Sequence, residues 1–461
     1  MKTRERNVID ALTQLALKIK KEIDEGISRN ILQPEEEVHF RWKVNEFEYT
    51  KGGVTKSSAS GEYIIKKFWF KATIKVAEDI KKSDEYSSTL KLLSNIFGKE
   101  RVSFALERFV QKLTSDFFTR QKLSEEDIDL FVTTFLKDLK EEPLKYGAKV
   151  ELDGIVILPE RIEFKIGDTI IILRQTKIED LEKEFPVYGF PMEPYLKTPS
   201  AILNIEFLGR QANEIQLKVE QAIAILRLFK VGSVKYISYH MHSESITDVT
   251  ASGTLTAREA VSALEKSQIT EEDVQKLKKF WQVMIKALPL GFYELREARL
   301  DHITIAYKRY CDALLQNGVL ERRIANAVMG LESLFLKSGE TQELIYRLSI
   351  RIAKIFSLLG YNSYKVKEII RDAYKVRSLF VHGGHLSYRE KRKLNDKYSD
   401  IRSFLLSLLD YLRISIIIMI FVKKEKEEFL DLIDDSLVDE NKEKQLMNLL
   451  NSVKTFLGGN K

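Results

Sequence analysis

The strongest constraint on this chain lies in its last third, where apolar residues return at three- and four-residue spacing in successive stripes. Ile303, Ala306, Tyr310, Ala313 and Leu314 form one stripe, and Leu320, Ile324, Val328, Leu331 and Phe335 the next. Leu344, Leu348, Ile352, Ile355 and Phe356 follow, then Val366, Ile370, Ala373, Val376 and Phe380. This period belongs to amphipathic helices that each turn one face to a shared core. The connectors are short (Gln316-Asn-Gly318, Lys337-Ser-Gly339, residues 360–363), which makes neighbouring helices antiparallel. Gly383-Gly384 ends the fourth helix as a C-cap. A fifth helix is expected over about 395–421, and two more over about 424–435 and 440–457. Pro289-Leu-Gly291 marks where this all-α bundle begins.

The residues before that mark read differently. Arg4 to Glu25 has helical periodicity, Val38 to Phe47 alternates apolar and polar, and Tyr63 to Val76 is strand-like, with an exposed loop expected over 51–61. Helical patterns run from about 87 to 140. Strands over 149–158, 161–166 and 169–174 suggest a small antiparallel meander. Half of the eight prolines then cluster (Pro186, Pro191, Pro194, Pro199), which predicts a linker. A strand over 201–208, a helix over 212–229 and a strand over 234–242 come next, then a Ser/Thr-rich loop and helices from about 257 and over 270–288. The expected fold is an α+β N-terminal region with antiparallel strands followed by an all-α helical bundle. Its expected divisions are 1–198, a smaller α/β subdomain over 199–291, and 292–461.

A chain of 461 residues is too long for one ordinary core, which agrees with several domains. Cys311 is the only cysteine, so no internal disulfide forms and a reducing, cytoplasmic location is expected. The charged start Met1-Lys-Thr-Arg-Glu-Arg lacks the apolar core of a signal peptide. The most apolar run, Ile414 to Val422, is short of the ~20 residues that span a bilayer, so a buried core helix is expected and no membrane partner. The net charge of +6 is modest. Its distribution is more informative: twelve basic residues stand against five acidic ones between Arg351 and Asp400. Such a local field attracts phosphates, although a solvated helical face has the same composition.

Familiar nucleotide and hydrolase signatures are missing: no P-loop, no G-x-G-x-x-G, no G-x-S-x-G and no paired C-x-x-C occur. Chemistry without a nucleotide or metal cofactor is therefore expected. The best candidate pair is Arg377 and His382, in the last turns of the fourth bundle helix. Five residues apart, they project about 140° apart on an ideal helix. Two-fold pairing of chains is one way to bring them to a common cleft. Cleaving RNA through its own 2′-hydroxyl needs a base for that hydroxyl, a proton donor for the leaving oxygen and a fixed cation on the phosphate. Histidine can serve the first two and arginine the third.

The run Ala373-Tyr374-Lys375-Val376-Arg377-Ser378-Leu379-Phe380-Val381-His382-Gly383-Gly384 resembles the signature helix of HEPN (higher eukaryote and prokaryote nucleotide-binding) domains, most of all their Apea-like branch. That family is marked by an arginine, usually followed by a small polar residue, with a histidine four to six residues on. Ile324 to Phe335 and Leu348 to Lys354 are similar to the branch's earlier helices, so the resemblance spans roughly 292–422. It implies a dimerising bundle and a metal-independent endoribonuclease that leaves 2′,3′-cyclic phosphate ends, often in antiviral or toxin systems. Some members lack nuclease activity and only bind nucleotides or partners. The N-terminal region would then serve as sensor or regulator, binding a protein or ligand.

Supporting residues follow from placement. Glu332 is expected on the second bundle helix, where it can orient Arg377 or simply face solvent. Tyr374 is one turn before Arg377 and can stack on a base or pack in the core. Ser378 and Lys375 are candidate phosphate contacts, and His385 a candidate proton relay or plain loop residue. His240, His242 and Glu244 alternate on a strand and are metal-type ligands, but no fourth ligand is evident. Phe40-Arg-Trp-Lys43 and Lys66 to Lys71 interleave aromatic and basic residues, as RNA-binding sheets do; the commoner arrangement turns the aromatics to the core.

Overall fold

The computed structural model describes residues 2–120, 123–187, 198–248, 250, 253–256, 266–293, 301–315, 319–422 and 424–457. The chain forms two compact units: Met1–Glu151, Glu163–Gln216 and Ile237–Thr256 make the first, and Leu152–Ile162, Leu217–Tyr236 and Ala257–Lys461 the second. The expected breaks at 198/199 and 291/292 do not separate them, because residues 163–216 group with the N-terminal segment and 257–291 with the bundle.

The first unit starts with α1 (Lys2–Ser28), then a long hairpin of β1 (Glu35–Thr50) and β2 (Gly53–Phe68). The expected loop over 51–61 is in fact a turn and the first half of β2, with Trp42 paired to Gly61 and Thr50 to Gly53. Apart from Gly53, the described residues of this run are exposed or half-covered, so burial imposes no apolar alternation on it. Gly61 has a packing reason: a Cβ there would sit 2.0 Å from Cζ of Phe40. Helices α2 (Phe70–Lys81), α3 (Asp84–Phe97), α4 (Lys99–Arg120) and α5 (Glu125–Leu139) follow. The strand expected to continue to Val76 is thus a helix from Phe70, with Ala72, Val76, Ala77 and Ile80 on its buried side. Ser83 accepts from the Tyr86 amide at the start of α3, and Ser124 with Asp127 forms a capping box on α5. These helices share one apolar core with α1, including Leu12, Leu93, Phe109 and Phe135.

Strand β3 (Leu144–Asp153) comes next, then β4 (Ile155–Ile157), β5 (Arg161–Ile166), β6 (Thr169–Gln175), α6 (Ile178–Leu181), β7 (Lys183–Pro186), β8 (Ala201–Gly209), α7 (Asn213–Phe229), β9 (Lys235–Ser243), β10 (Gly253–Thr256), β11 (Ser267–Ile269) and α8 (Glu271–Ala287). Six strands form a sheet in the order β10-β9-β3-β8-β6-β5. The expected meander is only partly present: β5 and β6 are neighbours, but β8 inserts between them and β3, running antiparallel to β6. The short β4 leaves this sheet and pairs parallel with β11. Of the clustered prolines, Pro186 ends β7, while Pro191 and Pro194 lie outside the described residues, as do the helix expected from 257 and the connector 316–318.

The bundle of the second unit comprises α9 (His302–Leu315), α10 (Leu320–Phe335), α11 (Leu344–Leu358), α12 (Ser363–Val381), α13 (Tyr388–Tyr398), α14 (Ile401–Val422), α15 (Lys426–Asp435) and α16 (Glu440–Leu457). By length and composition α14 could cross a membrane, with a mean hydropathy of 2.2, but 78% of its apolar window is buried inside the protein. It is the core helix expected from the Ile414–Val422 run. Gly330 lets α10 approach it closely, since a Cβ there would lie 2.8 Å from Cδ2 of Leu412. The expected fifth helix splits into α13 and α14. Ser399 adopts φ 70°, Asp400 accepts from the Ser403 amide at 2.7 Å, and Asn395 accepts from the Ile401 amide at 2.9 Å. These short polar side chains start a new helix instead of continuing the old one.

Buried arginines join the helices at their C-terminal ends, where backbone carbonyls lack helical partners. Arg323 donates to the carbonyls of Ala313 and Leu314, both at 2.7 Å, and Arg413 to those of Leu228 and Phe229. Arg351, 1% exposed, donates to the Phe335 carbonyl and pairs bidentately with Glu340 and Asp434.

Candidate functional site

The C-terminal turns of α12 place the candidate pair. Asn362 caps the start of this helix by accepting from the Lys365 amide, and Val366, Ile369, Ile370, Ala373 and Val376 bury its inner side. At the other end the Gly384 amide donates to the Leu379 carbonyl at 2.9 Å and the Gly383 amide to the Phe380 carbonyl at 3.0 Å, with Gly383 at φ 79°. This is a Schellman cap, as the Gly-Gly pair predicts. It leaves His382 as the residue that caps the helix just after Val381, with its side chain exposed.

His382 lines an open cleft of about 710 Å³ in the second unit, between the end of α12 and α13. Lys375 and Ser378 line it too, being about 20° and 40° from His382 around the helix. Lys393, Lys397, Asp372 and Glu390 complete the polar wall, and Val376, Leu379, Leu386 and Leu394 form an apolar one. Asp372 accepts from Lys397 and Tyr398 at 2.9 and 2.8 Å and from Lys375 at 3.1 Å. Burial pushes this carboxyl's pKa upward, but those donors outweigh it and hold the group below its ordinary value. Asp372 thus stays ionised and fixes one side of the cleft.

Arg377 is not among the cleft residues. It turns toward α10, where its Nη2 donates to Glu332 at 3.2 Å, and its guanidinium sits 5.6 Å from the ring centre of Tyr374. Its Nε is buried with no hydrogen-bond partner. Glu332 is largely buried, and that burial raises its pKa above the usual carboxylate value, with Arg377 offsetting only part of the effect. Burial likewise raises the Tyr374 hydroxyl, with Glu332 adding to it. Within one chain, then, Lys375, Ser378 and His382 share a cleft, while Arg377, Tyr374 and Glu332 form a separate cluster on another side of α12. His385 lies exposed beyond the cap.

Comparison with known protein families, with curated proteins and with solved structures finds no match.

The other sequence candidates are dispersed. His240 and His242 are exposed on β9, but Nδ1 of His240 meets Thr254 Oγ1 at 3.1 Å, and Nε2 of His242 lies over Gly147, 2.5 Å from where a Cβ would be. Glu244 accepts from the Lys145 amide at 3.3 Å. Among the described residues no group of three or more His, Cys, Asp or Glu side chains could hold a metal ion. In the two interleaved runs Phe40, Trp42, Phe68 and Trp69 are half-buried, with Trp69 stacked on Phe118 against the helical core, as in the commoner arrangement; Phe70, at the start of α2, is 71% exposed. A groove of about 1160 Å³ runs beside β2, α2 and α4. Its cations are tied up: Arg41 pairs with Glu62 and Glu184, Lys66 with Glu184, and Lys67 with Glu36 at 3.6 Å.

Lys393 and Lys397 belong to the basic stretch between Arg351 and Asp400, but that count does not place them on α13 beside His382. The signal for that helix was present in Ser387-x-x-Glu390, which forms a full capping box on α13.

Proposed function

We propose that the protein is a metal-independent endoribonuclease of HEPN type, acting in defence or toxin-like RNA cleavage, with Arg377 and His382 as catalytic residues and the N-terminal unit as sensor or regulator. The observation that carries this is the state of His382: an exposed imidazole at a fixed helix end, facing an open cleft whose wall includes Lys375, Lys393 and Lys397. An imidazole so placed can take the proton of a 2′-hydroxyl and return one to the leaving 5′-oxygen, with the lysines holding the backbone nearby. Arg377 is oriented by Glu332 and keeps a quarter of its side chain exposed, so that its guanidinium can reach a non-bridging phosphate oxygen. Since the two side chains serve different faces of α12 in one chain, the active form we propose is a homodimer in which Arg377 of one subunit and His382 of the other converge on one phosphodiester.

Incubation with total RNA and mapping of the new ends tests this. Cleavage that persists in EDTA, leaves 2′,3′-cyclic phosphates and vanishes in His382→Ala and Arg377→Ala supports it. Cleavage abolished by EDTA, or retained by His382→Ala, refutes it. A second reading, a non-catalytic dimerisation and RNA- or partner-binding protein, is favoured by one feature, the Arg377–Glu332 pair away from the cleft. It predicts RNA binding by a dimer without any cut.

A further inference from the structure

Helix α13 is unusual in this protein because none of its residues is buried. Its capping box and a few surface pairs hold it: Lys391 to Glu321 at 3.1 Å, and Lys397 and Tyr398 to Asp372. Only Leu394 and Tyr398 are half-buried, the latter stacked on Phe404, so the helix gains little from packing against its own core. Its composition is nonetheless specific, with Arg389, Lys391, Arg392, Lys393 and Lys397 against Glu390 and Asp396. One side (Glu390, Lys393, Leu394, Lys397) forms a wall of the His382 cleft. The outer side carries Tyr388, 84% exposed, with Arg389 next to it and Arg392 one turn on. Arg392 meets only Asp396 at the limit of an ion pair, 4.0 Å, with both side chains nearly three-quarters exposed. Lys391 and Lys397 are paired inward, while Arg392 on the outer side meets no carboxylate closer than this among the described residues.

We infer that α13 is a docking helix for unpaired RNA: Tyr388 stacks on a base while Arg389, Arg392 and Lys393 contact the phosphates that lead the strand into the His382 cleft. An exposed aromatic ring flanked by cations is the arrangement by which proteins hold single strands, because every unpaired base offers a π-face and the backbone supplies the charge. A duplex hides its base faces and cannot use Tyr388. The identity of the ligand as substrate rests on the nuclease function proposed above; the binding itself does not. This makes the helix a positioning element, separate from the residues that carry the chemistry.

The test uses the full-length protein and fluorescein-labelled 2′-O-methyl RNA, which lacks the hydroxyl needed for self-cleavage, either as an unstructured strand or as a blunt duplex of equal length. Anisotropy titrations over a range of salt should show the strand bound more tightly than the duplex. Tyr388→Ala should weaken strand binding by about tenfold or more. The triple variant Arg389→Ala, Arg392→Ala, Lys393→Ala should lower the slope of log affinity against log salt by about 2, at roughly 0.7 per phosphate contact. Circular dichroism of each variant confirms that the fold is retained. Unchanged strand affinity in both variants, equal affinity for duplex and strand, or displacement of the strand by polyglutamate at matched charge with no effect of Tyr388→Ala would overturn the inference, the last pointing to an acidic protein instead. If the wild-type protein binds as described but cuts no unmodified RNA, the docking helix stands and the nuclease function fails.

Discussion

Replacing Glu332 by alanine removes the carboxylate 3.2 Å from Arg377 and leaves a largely buried guanidinium with two unmet donors, since its Nε already has none. Breaking a fully buried ion pair from one side costs about 3–5 kcal/mol. Here the side chains are 25% and 16% exposed, so water screens part of the loss and about 2 kcal/mol is expected. In a unit of this size that lowers Tm by roughly 4–8 °C. Glu332→Gln should behave differently. The amide oxygen still accepts from Arg377, and the buried negative charge is gone. Because burial raises the Glu332 pKa, the folded protein binds this proton more tightly than the unfolded chain does. The group's contribution is therefore fully present below its unfolded pKa and is lost as pH rises through the folded value. The glutamine variant lacks that loss, so above this window it should melt within about 2 °C of wild type or slightly above it. Thermal melts from pH 4 to 8, followed by circular dichroism, provide the comparison. A glutamine variant as unstable as the alanine variant, or an alanine variant as stable as wild type, would show that the Glu332–Arg377 contact does not hold this side of α12 together.

Arg351→Met strands Glu340 and Asp434; Asp434 is 38% exposed, so water screens part of the loss and about 2–3 kcal/mol is expected, seen as an early denaturant midpoint. Hydrogen bonding by Arg351 holds Glu340 at a pKa of about 2, so the stability it lends is present above the ordinary carboxyl pKa and lost as pH falls toward 2; the variant should lose this acid-side dependence, which acid titrations at constant temperature would detect. Ser399→Gly relieves a backbone at φ 70° and ψ −44° and should stabilise by up to about 1 kcal/mol in urea, whereas a loss of stability would mean that the break between α13 and α14 depends on the serine itself.

The bundle was legible because its helices obey a single rule. Each apolar stripe from α9 to α12 buries as its spacing requires, and Gly383-Gly384 closes α12 in the expected manner. Strands β5, β6, β8 and β9 were legible for the same reason, since each packs a face against the core. The hairpin arm of β2 was not, because Ser58–Gly61 are exposed or only half-covered and no apolar alternation is imposed on them. Phe70 to Val76 looked like a strand through its β-branched and aromatic residues, yet the small Ala72 and Ala77 let it pack as a helix. Sheet order was invisible, since β8 reaches its place beside β6 from far along the chain. At the candidate site the five-residue spacing already separates Arg377 from His382 by about 140° around α12, but nothing in the sequence shows that Glu332 on α10 is the partner Arg377 turns to. Helix α13 carries no apolar stripe, and only the Ser387-x-x-Glu390 capping box marks its start in the sequence.

The most direct test of a site shared between subunits is complementation. Arg377→Ala and His382→Ala proteins are each inactive if both residues are catalytic. Mixed in equal amounts and allowed to exchange subunits, they form heterodimers in which one of the two sites has an intact arginine from one chain and an intact histidine from the other. A shared site predicts recovery of RNA cleavage to about a quarter of the wild-type rate, since half of the dimers are mixed and each restores one site of two. No recovery despite demonstrated subunit exchange would contradict it.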